Sequence, residues 1–213
     1  APISFGSGES RWTPQNANMS YRGYIRMRVA LQWSVNIWAV KCASDIGLDT
    51  VNDAFKRFGI RPYRDKLDDL SAALGSHEVV PISLISGYTA FPNGGTRVTP
   101  VFITKVEDTK GHVLERISTT RTKVCSPQVA YIMTSMLQTV ASSGTGASSR
   151  NGYYWQNAGK TGTTDNYNDS WFIGFNKAFT LGIWMGFDNT KVKSGSATAV
   201  SIWGPIMTKA IRL

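Results

Sequence analysis

A chain of 213 residues and 23.4 kDa, 42% hydrophobic and 17% charged, can bury a core and fits one domain. It has no apolar run near the roughly 18 residues that suggest a membrane span, and no internal repeat or low-complexity linker, which sets aside membrane-span, solenoid and disordered classes. The formal net charge of +9 suits nucleic acid, an anionic membrane or a polyanionic wall polymer. The cations are scattered rather than striped and no nucleic-acid motif stands out, so a solvated basic surface is the simpler reading. Cys42 and Cys125 lie far apart without metal-ligand spacing; Cys42 falls in an apolar helical pattern and reads as a core residue, and one disulfide stays open.

In chain order, residues 1–24 are rich in Gly, Ser, Asn and Tyr and read as loop. A helix is expected from Ile25, with Met27, Ala30 and Leu31 on one face, leading to Trp33-Ser34-Val35-Asn36. A second runs over 37–46 and is closed by Gly47. Asp49 is placed to cap a third, through Val51, Ala54, Phe55 and Phe58, which Gly59 stops. Residues 65–75 are mixed. Ser76 to Pro81 then reads as the start of a helix carrying Ile82, Leu84, Ile85, Tyr88 and Phe91, ended by Asn93-Gly94-Gly95. His77 and His112 stand in polar surroundings without partners at ligand or triad spacing, and read as exposed structural residues.

Two strands, 99–107 and 113–117, are expected around the turn Asp108-Thr109-Lys110-Gly111. Ser126-Pro127 opens a helix through Val129, Ile132, Met133, Met136, Leu137 and Val140, broken by the Ser/Gly run at 142–146. A strand with Lys160, one with Trp171 and one over 179–187 follow by short turns and should form an antiparallel meander. The turn at 165–169 is polar and rich in Asn and Asp. The chain closes on a helix over 197–211 that is expected to pack Ile202, Ile206 and Ile211 on one face.

Gly159-Lys160-Thr161-Gly162-Thr163-Thr164 is the most informative stretch. On a strand edge it presents one cation, hydroxyls and a backbone that Gly162 lets another chain approach closely. Those parts suit an extended peptide ending in a carboxylate. Taken alone, K-T-G also fits an ordinary hairpin with a surface lysine.

Ser34-Val35-Asn36 at a helix junction and Lys160-Thr161-Gly162 far downstream are two parts of the three-part set of active-site-serine acyl-transfer enzymes. With residues 30–41, 73–76, 91–95, 144–146, 158–164 and 169–174, in order, the chain from about Trp12 to its end resembles the transpeptidase domain of bifunctional, class A penicillin-binding proteins. The resemblance implies an α+β fold, an antiparallel sheet flanked by helices, with the Lys160 strand at the cleft. It implies peptidoglycan cross-linking through an acyl-enzyme, with β-lactams acylating the same serine. Ser34 and Lys160 would relay the proton to the leaving nitrogen, and Asn36 would bond the substrate amide. Thr161 and Thr163 would bind the terminal carboxylate beside Gly162, with the Thr163 N–H giving half of the oxyanion hole. Partners implied are the D-Ala-D-Ala end of a stem peptide, an acceptor amine and β-lactams, with no nucleic acid and no metal or organic cofactor. The location implied is the extracytoplasmic face of a bacterial membrane, reached through an anchor in the parent protein.

One departure matters. The family's first motif, S-x-x-K, carries the nucleophile, and no serine stands three positions before any of the eleven lysines. The nearest approximations are Thr120-Arg121-Thr122-Lys123 and Thr190-Lys191-Val192-Lys193. The expectation is therefore that residues 1–213 form the larger C-terminal part of one transpeptidase domain. The nucleophile segment, a glycosyltransferase domain and the anchor would lie outside it, a complementary peptide would carry S-x-x-K, and this piece alone would be inactive. A D,D-carboxypeptidase, a β-lactamase relative and a catalytically silent module that binds wall peptide or a partner protein stay as alternatives.

Overall fold

A computed structural model describes residues 2–64, 66–164, 169–186 and 198–212. The centre is an antiparallel meander of β5 (Ala158–Thr163), β6 (Asp169–Phe175) and β7 (Thr180–Gly186), in that spatial order. Of the expected turn at 165–169, residues 165–168 lie outside the described residues, as do Asp65 and residues 190–193, and Asp169 already belongs to β6.

Cross-strand register fixes which residues share a face. Lys160, Ile173 and Gly182 stand in one row, and Gly162, Trp171 and Trp184 in another row of the same face. Thr161, Phe172 and Ile183 lie on the other face. That second face is covered by α6 (Thr198–Ala210), whose Val200, Trp203 and Met207 join Phe172, Ile183 and Tyr153 in one buried cluster. Trp203 meets Phe172 edge-on at 5.7 Å between ring centroids and donates from Nε1 to the Leu181 carbonyl at 3.0 Å. The expected packing face of this helix is thus corrected. Ile202 and Ile206 are exposed, and only Ile211 of the named three packs against the cluster. Ala199, Val200, Trp203 and Met207 form an equally good helical stripe, and the larger ring decides which stripe turns inward.

The first face of the sheet meets helices. Ser126 caps α5 (Pro127–Ser143) by accepting from the Val129 N–H at 3.2 Å, with Pro127 in the first turn. Leu137 of α5 packs with Ala158 and Phe175, joined by Leu31, Tyr88, Phe91 and Met133. α1 (Met27–Gln32) is shorter than the expected helix, because Ser34 takes a left-handed conformation, φ 52°, and breaks it. α2 (Asn36–Ile46) and α3 (Leu48–Phe58) follow, ended by Gly47 and Gly59 as expected, although Asp49 sits in the first turn of α3 rather than capping it.

α4 (Pro81–Tyr88) begins only at the proline. Residues before it are held extended by a bridge between Pro62 and Val79, so Ser76 to Val80 are not helical. The expected long strand before the 108–111 turn is also shorter. β1 (Thr96–Val98) pairs with β4 (Arg121–Lys123), and β2 (Lys105–Glu107) with β3 (Val113–Arg116). Pro100 interrupts the run, and Phe102 and Ile103 between them are exposed without a covering layer. Cys42 and Cys125 are both free and partly buried.

Candidate active site

Two pieces far apart in sequence converge. Ser34 sits on the sharp turn between α1 and α2, and Lys160 is the third residue of β5. Lys160 Nζ donates to Ser34 Oγ at 2.8 Å and to the Thr161 carbonyl at 2.8 Å, and reaches Thr161 Oγ1 at 3.5 Å. Among the described residues Lys160 forms no ion pair. Burial against the sheet and the α1–α2 turn disfavours its charge and lowers its pKa from the ordinary 10.5 to about 8. At neutral pH such an amine is mostly charged yet holds an accessible neutral fraction. It can therefore supply positive field and exchange a proton with Ser34.

Thr161 has a further partner. Its hydroxyl lies 2.7 Å from that of Thr145, in the loop after α5. Thr145 N–H donates to the Gln32 carbonyl at 3.1 Å, so one short loop touches both the end of α1 and the strand β5.

Asn36 opens α2, but its Nδ2 donates to the Gln15 carbonyl at 2.9 Å, tying the N-terminal segment to the site. Asn16, next in that segment, accepts from the Ile37 N–H at 3.1 Å. Gly162 faces Trp171 across the ladder, and Thr163 ends β5 with an exposed side chain. The structure thus joins Ser34, Lys160 and Thr161 in one network, sets Gly162 and Thr163 further along the same strand, and gives Asn36 a backbone partner outside it.

Comparison with known proteins agrees with this geometry. The family model described as the penicillin binding protein transpeptidase domain matches residues 2–208. The chain belongs to that family. Penicillin-binding protein 1A of Neisseria lactamica is 34% identical over 224 aligned residues, taking in 100% of this chain and 28% of that protein. Penicillin-binding protein 1A of Clostridium botulinum is 36% identical over 207 residues, 94% of this chain and 25% of that protein. The chain therefore spans about a quarter of the length of these relatives. Among solved structures, penicillin-binding protein 1A from Haemophilus influenzae superposes with a TM-score of 0.88 at 25% identity, over 99% of this chain and 38% of that one. An imipenem acyl-enzyme complex of penicillin-binding protein A from M. tuberculosis gives 0.77 at 19% identity, over 98% of this chain and 53% of that one, a likeness of fold alone. The α+β fold is that of penicillin-binding transpeptidases.

Within this transpeptidase domain, sequence reasoning missed two residues. Thr145 entered only as part of a resembling Gly-Thr-Gly stretch; an isolated threonine in a polar loop carries no chemical signal. Asp169 entered only as a turn residue and as the start of a resembling stretch, with no role of its own. It accepts from Trp184 Nε1 at 2.8 Å and from Thr164 Oγ1 at 3.0 Å, while its N–H donates to Thr164 Oγ1 at 2.9 Å, so it pins the strand end just beyond Thr163.

The histidines do have partners, against expectation. His77 bonds Asp68 at 2.8 Å and Ser76 at 3.0 Å, and His112 bonds Asp108 at 2.9 Å. The His77 bond holds the Asp68 carboxyl below its usual range. Asp68, Asp69 and His77 bring ligand atoms within 4.8 Å of one another, the one group of metal-ligand geometry among the described residues, and none of the three belongs to the Lys160 network. A cavity of about 870 Å³ lies at the other end of the meander, lined by Phe91, Tyr131, Trp155 and Phe175, and Lys160 does not line it.

Proposed function

We propose that these residues form the larger C-terminal part of the transpeptidase domain of a peptidoglycan D,D-transpeptidase, one that cross-links stem peptides through an acyl-enzyme and is acylated by β-lactams. The observation that carries this is the 2.8 Å bond from Lys160 Nζ to Ser34 Oγ. It gives a proton path from a partly desolvated amine to a hydroxyl at the cleft, which is what expulsion of a leaving nitrogen needs. Asn36 would bond the substrate amide once it exchanges its Gln15 partner for the ligand. Thr161 and Thr163 would receive the terminal carboxylate of a D-Ala-D-Ala stem, and Gly162 leaves room for its backbone. Among the described residues β5 is an edge strand of its sheet, which supports the oxyanion assignment. Lys160 reaches the Thr161 carbonyl there, and the two-residue alternation of a strand turns the Thr163 N–H to the same side.

No S-x-x-K lies within the 213 residues; in this reading the nucleophile would be carried by a segment outside them, as would the glycosyltransferase domain and membrane anchor of a class A enzyme working outside the cytoplasmic membrane. No described helix is long and apolar enough to cross a membrane.

Fluorescent penicillin tests the reading. The full-length protein is expected to take the label on a serine outside these residues, and the purified 213-residue chain to stay unlabelled. Lys160→Ala in the full-length protein should slow acylation by on the order of 10²- to 10⁴-fold. Label on the isolated chain, or unchanged acylation of the Lys160→Ala protein, would overturn the assignment. A full-length protein that takes no label would point to a silent wall-peptide-binding module.

A further inference from the structure

We infer that Thr145 is a positioning residue for carboxylate recognition, orienting the Thr161 hydroxyl toward the terminal carboxylate of the substrate. The inference rests on the transpeptidase reading and deepens it.

The argument is a count of protons and lone pairs. A threonine hydroxyl has one proton to donate and two lone pairs to accept with. Lys160 Nζ, which has only donors, lies 3.5 Å from Thr161 Oγ1, and Thr145 Oγ1 lies 2.7 Å from it. With no anion in the cleft, Thr161 can give its proton to Thr145. When an acceptor-only carboxylate arrives, Thr145 can reverse and donate to Thr161. Thr161 then accepts from Thr145, with the Lys160 ammonium 3.5 Å away on its other side, and its one proton is left to point at the anion. The pair thus presents Thr161 as a donor, and its bond to a carboxylate is charge-assisted and stronger than one to the carbonyl of an uncharged ester.

The backbone makes the arrangement hold. Thr145 N–H is anchored on the Gln32 carbonyl at 3.1 Å, and Gln32 Nε2 in turn donates to the Ser143 carbonyl at 2.9 Å. A Cβ on Gly144 would stand 2.4 Å from that same Gln32 carbonyl, so the loop passes closer to α1 than any side chain there would allow. Thr145 is held from the α1 side while its hydroxyl reaches β5. A threonine that served only to fill the loop would not need its hydroxyl on Thr161.

The test compares two acyl donors on the full-length enzyme: a D-alanyl thioester with a free terminal carboxylate, and its methyl ester. For each protein the readout is the ratio of kcat/KM for the two donors, in which the fraction of active enzyme cancels. Thr145→Val is expected to lower the ratio on the order of tenfold, the loss falling on the carboxylate donor. Thr145→Ser should restore it, and Thr145→Ala, which adds no bulk, should match Thr145→Val. An unchanged ratio in Thr145→Val and Thr145→Ala, with the wild type acylated normally, overturns this inference alone. A wild type acylated by neither donor overturns the transpeptidase reading, and this inference with it.

Discussion

Lys160 Nζ donates to Ser34 Oγ at 2.8 Å, a bond between residues 126 positions apart in the chain. The ammonium it requires is carried into a partly buried place with hydroxyls and a carbonyl around it but no carboxylate among its bonds. Such a charge costs stability. Groups perturbed in this way cluster at functional sites, which is why the proposed role falls on Lys160.

That cost has a sign that pH can read. The Lys160 pKa falls from 10.5 unfolded to about 8 folded. Between those values the unfolded chain binds more protons than the folded one, so stability rises with pH across the window. The penalty is full below about pH 8, and the whole shift corresponds to about 3 kcal/mol. Tyr88 acts the other way above pH 10, because burial raises its pKa to about 12. Urea unfolding at pH 7 and pH 9.5 should therefore show a rise in stability that Lys160→Met abolishes. Equal slopes in the two proteins would mean that the amine is not desolvated.

Ser34 carries strain as well as a hydroxyl. At φ 52° it occupies a region that costs an L-residue roughly 1–2 kcal/mol and glycine nothing. Ser34→Ala and Ser34→Gly both lose the bond to Lys160, but only the glycine variant loses the strain. Ser34→Gly is thus expected to be more stable than Ser34→Ala by about 1 kcal/mol in denaturant melts, while both disable acyl transfer in the full-length enzyme. If Ser34→Ala proves the more stable of the two, the left-handed turn is not held in solution.

The meander, the helices opened by prolines and the pairing of Ser34 with Lys160 were legible in the sequence. β-Branched and aromatic runs, glycine stops and two short motifs each leave a local mark. What stayed hidden depends on contacts between distant segments. The inward stripe of α6 is chosen by where Trp203 meets Phe172. Thr145 gains its meaning only when the loop after α5 is brought beside β5. The bond of His77 to Asp68 required a loop to fold back, whereas that of His112 to Asp108 closes across the hairpin turn the sequence did mark.

Glycines on β5 divide into structural and functional. A Cβ on Gly159 would lie 2.5 Å from the Phe172 ring and 2.8 Å from the Ile173 carbonyl, both in the packed sheet. Gly159→Ala is expected to destabilise by about 1–3 kcal/mol through overpacking, seen as a lowered Tm. Among the described residues a Cβ on Gly162 meets only the Trp171 side chain, 3.2 Å from its Cβ, on the edge strand beside Thr163. Gly162→Ala should leave Tm within a few degrees of the wild type yet slow acylation, because the added methyl stands where a substrate backbone would approach. A large Tm loss in Gly162→Ala would show that this glycine serves packing instead.

The two stripes of α6 make opposite forecasts. Trp203 is fully buried, with Phe172 at 5.7 Å and Tyr153 at 5.2 Å between ring centroids, while Ile202 is 37% exposed. Trp203→Ala opens a cavity beneath the sheet and should cost about 3–5 kcal/mol, enough to unfold a marginal domain. Because that variant can fail to express, Trp203→Phe is the informative companion. It keeps most of the ring, gives up the Nε1 bond to the Leu181 carbonyl, and should cost about 1–3 kcal/mol. Ile202→Ala, on the exposed stripe, should stay within about 1 kcal/mol of the wild type. Were Ile202→Ala to match Trp203→Ala in a urea melt of the full-length protein, the outer stripe would be covered there by a further segment, and the burial order on this helix would have to be redrawn.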